Sequence, residues 1–179
     1  MAYASNLLGR QLQPGDITSE AYWQQYGLND KQAINLVHGY NLAGFPALLP
    51  LPGALQVLKH LKRHYELHVI TSRDPVSKQY TETWIKQHFA DTFTDIVLAG
   101  NTYVSKNPRT KAAMCIGIGA DYIIDDSVRH LLDCAKQGTK ALLFGHYGWH
   151  EHGDLPHGII RVRDWQEVKE YFDGIHASK

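Results

Sequence analysis

Apolar residues recur along this chain at two spacings, and the two alternate. Leu55, Leu58 and Leu61 fall on one helical stripe within residues 54–64. The run Tyr65-Glu66-Leu67-His68-Val69-Ile70 then reads as a strand that ends at Thr71-Ser72-Arg73. The alternation continues with a helix over 77–89, a strand over 95–99, and a helix over 110–116 with Gly117 and Gly119 near its end. Residues 121–126 form a short apolar strand that finishes in two carboxylates. A helix over 128–137 stopped by Gly138, strands over 140–144 and 159–162, and a helix from the capping Asp164 to Phe172 complete the series. Ahead of it, residues 2–12, 19–26 and 30–40 carry helical patterns, and 44–53 is a Pro/Gly-rich connection. No internal repeat or low-complexity segment interrupts the chain.

Strands alternating with helices predict an α/β fold with a mostly parallel sheet. Such sheets bind ligands beyond the carboxyl ends of their strands. That is where Thr71, Ser72, Arg73, Asp125 and Asp126 fall.

Composition narrows the class. The 179 residues suit one domain, or one domain with a small insert. The 18 Lys+Arg balance the 18 Asp+Glu. That balance argues against charge-driven nucleic-acid binding and against an acidic disordered tail. No stretch is long and apolar enough to span a membrane, and the first residues lack a secretory signal, so a cytoplasmic location is expected. Cys115 and Cys134 do not form a Cys-x-x-Cys pair and are expected to be buried free thiols.

Adjacent carboxylates at a strand end repel one another unless something offsets the charge. Mg²⁺ does so well, being a hard cation that takes oxygen ligands and keeps waters; alternatively, one Asp of the pair caps the following helix. Thr71 and Ser72 offer hydroxyls and backbone N–H groups near a helix start, suited to an anion or simply to capping. Lys78, Lys106 and Lys111 are candidates to neutralise a phosphate as point charges.

Together these residues resemble the haloacid dehalogenase superfamily of phosphatases. Val69-Ile70-Thr71-Ser72-Arg73 is similar to its second, phosphate-holding motif, and Ile123-Ile124-Asp125-Asp126-Ser127 to its fourth, Mg²⁺-binding motif. Lys111, which opens the helix leading into the Asp-Asp strand, is the first choice for the third-motif lysine. More narrowly, Asn6-Leu7-Leu8-Gly9-Arg10, Gly15-Asp16-Ile17-Thr18, Leu51-Pro52-Gly53-Ala54 and Trp84-Ile85 resemble the 5′(3′)-deoxyribonucleotidase-like branch. The resemblance implies a single Rossmann-like domain over 1–179 with a small helical cap over 16–50. It also implies Lys111 as a catalytic residue, and phosphate held by Thr71, Ser72, Arg73 and Lys78. Mg²⁺ would sit at Asp125 and Asp126, and a small phosphorylated molecule would be the substrate.

The family's chemistry also needs a first motif, Asp-x-Asp, at the end of the first strand. Its first Asp attacks phosphorus and its second acts as general acid and base. No Asp-x-Asp occurs in these 179 residues, and residues 1–12 resemble the helix that follows that motif. The chain is therefore expected to start after the catalytic strand, as a truncated or a non-catalytic relative. A central gap in its sheet would then need filling by another segment, a partner chain, or strand exchange within a homo-oligomer.

Two further stretches stand out. Tyr22, Trp23, Tyr26, Tyr40 and Phe45 place many aromatics in the cap region, where Trp23 and Tyr26 are candidates to stack a flat group such as a nucleobase or to pack the cap. Residues 146–157 are rich in His, as a Zn²⁺ or Ni²⁺ site requires, but their Gly and Pro neighbours favour a solvated loop. Three functions follow: an Mg²⁺-dependent nucleotidase-like phosphatase, a non-enzymatic binding or interaction protein on the same scaffold, or a metal-binding protein using the His-rich loop.

Overall fold

The computed structural model describes residues 11, 16–19, 22–43, 48–73, 75–100, 109–150 and 155–177. The helix expected over 2–12 lies outside the described residues except for Gln11, and Lys106, Phe45, the His152 part of the His-rich segment and the Tyr40 side chain lie outside them altogether. The elements run α1 (Tyr22–Gln25), α2 (Asp30–Ala43), α3 (Ala54–Leu61), β1 (His68–Thr71), a 3₁₀ turn (Pro75–Ser77) and α4 (Lys78–His88). Then follow β2 (Asp95–Leu98), α5 (Lys111–Ile118), β3 (Tyr122–Asp125), α6 (Val128–Lys136), β4 (Lys140–Phe144), β5 (Ile159–Val162) and α7 (Trp165–Ala177). The chain is thus mixed α/β, with helices flanking parallel strands. Among the described residues, no helix is long and apolar enough to cross a membrane.

Every strand pair is parallel. β1 pairs with β2 from His68↔Asp95 to Thr71↔Leu98. β4 pairs with β3 on one side (Ile123↔Ala141, Asp125↔Leu143) and with β5 on the other (Leu142↔Ile160). Strand β4 shows why a parallel strand reads as a continuous apolar run: both its faces are buried. Ala141 and Leu143 pack with Ala112, Cys115, Leu131 and Cys134 of α5 and α6. Leu142 turns the other way, onto Val57 and Leu61 of α3 and Val168 and Phe172 of α7. Both cysteines are free and buried in the first of these layers, as expected.

Strand β1 begins at His68, three residues later than the apolar pattern suggests. The amides of His64 and Tyr65 still bond to the Leu61 carbonyl, so the end of α3 is not yet unwound. The Tyr65 ring packs edge-on against Tyr122 and Phe172 instead of extending the sheet.

Among the described residues the strands form two sheets, β1–β2 and β3–β4–β5. A cavity of about 720 Å³ separates them. One side is lined by residues Leu67 to Ile70, the other by Tyr122 to Asp125, and its walls include Leu58, Leu61, Trp84, Phe89, Cys115 and Ile118. The outer edge of each sheet at this slot has no strand beside it among the described residues, although backbone groups favour pairing. All four residues of β1, Val69 and Ile70 included, are therefore only half-buried.

Candidate active site

The loop after β1 is tied to α4. Arg73 N–H donates to Thr71 Oγ1 at 3.3 Å, and Arg73 Nη1 donates to Thr81 Oγ1 at 3.3 Å. The Thr81 hydroxyl, itself buried, donates to the Ser77 carbonyl at 2.9 Å. Thr71 thus sits at the carboxyl end of β1 under a turn whose side chains are already oriented. Ser72 follows it, half-buried.

The second strand end is more tightly built. Thr110 caps α5 by accepting from Ala113 N–H at 3.1 Å, which places Lys111 in the first helical turn. From there the Lys111 ammonium donates to Asp125 Oδ2. The side chains of the pair are 12% and 7% exposed, respectively. Asp125 Oδ1 accepts from Ser127 N–H at 3.0 Å, and His130 Nδ1 stands 3.5 Å from the same oxygen, at the outer limit of a hydrogen bond. Burial pulls the Asp125 carboxyl pKa up. The His130 contact and the Lys111 ammonium outweigh that and hold it below the usual carboxylate range. It is Ser127, through a 3.3 Å bond from His130 N–H, that caps α6. The N-cap position of that helix is Ser127.

Asp126 is exposed, and its carbonyl is gripped from the loop after β4. Trp149 Nε1 donates to that oxygen at 3.2 Å, and His150 Nε2 lies 2.9 Å from it. On the other side of the imidazole, Nδ1 is 3.1 Å from Arg161 Nη1 and 3.4 Å from Tyr147 N–H. Both of those neighbours can only donate, so Nδ1 is the acceptor and Nε2 carries the proton. Burial, with the Arg161 guanidinium beside the ring, holds His150 below the usual imidazole range. The expectation of a solvated His-rich loop is corrected here. His150 is 3% exposed because partners on β5 and at the Asp126 turn satisfy it, whereas His146 and His157 are exposed as expected. Tyr147 and Trp149 stack at 4.4 Å and 7°.

The structure therefore brings Lys111 and Asp125 into direct contact, with Asp126 adjoining, and Arg73 and Asp125 line the same slot. Lys78 lies elsewhere: its side chain is 62% exposed and pairs with Glu82 one helical turn on. Trp23 donates its indole N–H to Asp30 at 3.1 Å, and Tyr26 continues that turn. His130, Thr81 and Ser127 were missed as contributors. His130 could have been noticed as an imidazole in the first turn of the helix after the Asp-Asp strand, close enough in sequence to face back on it.

Two neighbouring carboxylates suit Mg²⁺, which commonly takes one or two of them and completes its shell with water or phosphate. Among the described residues no group of three or more His, Cys, Asp or Glu side chains is gathered to hold a metal. The donor set fits such a partial site and no more.

Parallel strands whose ends carry a threonine and paired aspartates, with a lysine on a flanking helix, define a fold of the haloacid dehalogenase type. A haloacid dehalogenase-like hydrolase from Streptococcus pneumoniae shares it, with a TM-score of 0.66 over 96% of this chain and 87% of that one, at 21% identity. The profile of the family described as "5' nucleotidase, deoxy (Pyrimidine), cytosolic type C protein" matches residues 1–178, and the chain belongs to that family. Similar curated proteins are the 5'(3')-deoxyribonucleotidases of Bacillus subtilis and of Bacillus phage SPbeta. Each is 27% identical over 133 residues, 70% of this chain and 63% of the relative. The match thus spans less than two thirds of those relatives' length.

Proposed function

We propose that this chain carries the phosphate- and Mg²⁺-binding side of a nucleotidase-type phosphomonoester site. The observation that supports it most is the buried Lys111–Asp125 pair, whose Asp125 lines the slot at the strand end that leads into Asp126. In this reading Thr71 and Ser72 hold phosphate oxygens by hydroxyl and N–H groups, and Arg73 and Lys111 offset its charge. Asp125 and Asp126 would hold Mg²⁺, which when bound neutralises charge on the phosphate. The proposed substrate is a deoxyribonucleoside monophosphate, by analogy with the relatives' names. Residues 16–50 would act as the cap, with Trp23 and Tyr26 against the base, in a cytoplasmic setting.

The nucleophile and the general acid have no Asp-x-Asp to supply them within these 179 residues. The slot between β1 and β3 is where a further strand would complete both the sheet and the chemistry, from another segment or from a second copy. Its apolar walls and two strand edges suit an apolar extended segment. The chain alone is expected to bind inorganic phosphate and Mg²⁺ weakly and to hydrolyse p-nitrophenyl phosphate and deoxyribonucleoside monophosphates negligibly. An N-terminal extension bearing an apolar strand that ends in Asp-x-Asp should bring turnover, lost again in Asp125→Ala. Turnover by the 179 residues alone that vanishes in Asp125→Ala or Thr71→Ala would show that nothing further is needed. Absence of phosphate and Mg²⁺ binding in both forms would overturn the reading.

A further inference from the structure

We infer that His150 and Trp149 are positioning residues that hold the Asp125–Asp126 pair by clamping the Asp126 main-chain carbonyl. A carbonyl oxygen has two lone pairs, and here two ring N–H donors take them, at 2.9 and 3.2 Å. The Asp126 carbonyl is thereby closed to a cation. The same peptide leads into Ser127, whose N–H bonds to Asp125 Oδ1 and whose hydroxyl caps α6. Fixing that carbonyl therefore fixes the peptide whose N–H holds the Asp125 carboxylate and the helix start that follows it.

The clamp is itself braced. Arg161 of β5 donates through Nη1 to the Gly145 carbonyl at 3.2 Å and to His150 Nδ1 at 3.1 Å. The backbone closes the loop from inside, His150 N–H reaching the Tyr147 carbonyl at 3.0 Å and Tyr147 N–H reaching His150 Nδ1. A ring buried this completely with both nitrogens matched is costly to replace by one that leaves a polar partner bare. Mere packing would be served by any aromatic ring, whereas the clamp needs a donor at the Nε2 position. As a device for a cation site, the clamp rests on the proposed function; as a device for fixing the Asp126–Ser127 peptide and, through it, the Asp125 carboxylate, it does not.

The test is metal-free NMR of the full chain. In the parent, a two-bond ¹H–¹⁵N spectrum should show the ring proton of His150 on Nε2 and Nδ1 as the acceptor. His150→Phe should shift the Ser127 and His130 amides and speed their exchange about tenfold. His150→Gln, which restores a donor at the Nε2 position, should return them most of the way, and Trp149→Phe should move them less, in the same direction. Val168→Ala, a cavity in the opposite core layer at a fully buried residue, should lower Tm without singling out those two amides. The inference is overturned if His150→Phe leaves Ser127 and His130 at parent values, or if Val168→Ala reproduces the pattern. If His150→Phe does not fold, the parent tautomer and Trp149→Phe decide: an Nδ1–H ring, or no change at Ser127, overturns it. Failure of the parent to bind Mg²⁺ would count against the proposed function and leave this result standing.

Discussion

Replacing Lys111 by Met keeps the aliphatic stem and removes the ammonium from a carboxylate that is nearly sealed from solvent. Removing one partner of a buried pair costs about 3–5 kcal/mol, because the other charge is left behind. Asp125 keeps the Ser127 N–H and the His130 contact and borders a cavity that water can enter, so the low end applies. A loss of about 3 kcal/mol lowers Tm by about 6–12 °C in a domain of this size. The pH dependence is more diagnostic. In the parent, the folded Asp125 pKa lies below its unfolded value, so its contribution is present above about pH 4 and is lost as pH falls through the folded value. Without the ammonium, two of the causes that hold the carboxyl down are gone and its folded pKa rises relative to the parent's. The stabilisation that depends on the ionised carboxyl is therefore smaller in Lys111→Met, so the penalty relative to parent is largest at neutral pH and shrinks toward acid. Urea denaturation from neutral to acid pH measures this directly. Combining Lys111→Met with Asp125→Asn should cost at least about 1 kcal/mol less than the two singles summed. Additivity within about 0.5 kcal/mol, or a penalty that does not change with pH, would refute the reasoning.

Three other outcomes follow from the geometry. Gly145 has φ 82°, and a Cβ there would collide with the Tyr147 ring, so Gly145→Ala should cost about 1–3 kcal/mol and weaken the near-UV signal of the Tyr147–Trp149 stack. An unchanged denaturation midpoint would contradict this. Both thiols should be inert to a disulfide reagent in the native protein at pH 8 and react fully in denaturant, since burial pushes Cys134 up to about 12 and Cys115 above its ordinary value. Ser127→Ala should destabilise by about 1 kcal/mol in chemical denaturation and Ser127→Thr by much less, because the cap needs only a neutral acceptor for His130 N–H.

Local pattern carried much of this molecule. The spacing of Leu55, Leu58 and Leu61, the apolar runs ending at Thr71 and Asp125, and the glycines that close helices mark elements whose forces act within a few residues. For the same reason the strand-end chemistry was visible, since a parallel α/β sheet places its ligand groups where its strands stop. Lys111 could be ranked above Lys78 only by its place at a helix start, and the structure puts its ammonium on Asp125 while Lys78 pairs with Glu82 at the surface. Other features depended on residues far away in sequence. Tyr65 looked like strand because its ring is apolar, and it is held off the sheet by Tyr122 and Phe172. His150, amid glycines, looked solvated, yet it is buried because Arg161 and the Asp126 carbonyl, 11 and 24 positions away, satisfy its two nitrogens. Which elements form, and which residues stand at their ends, was thus written locally in hydrophobic period and capping. Which side chains meet, which nitrogen holds a proton, and how wide a slot lies between β1 and β3 were decided by tertiary packing, because those energies belong to contacts that only the folded chain creates.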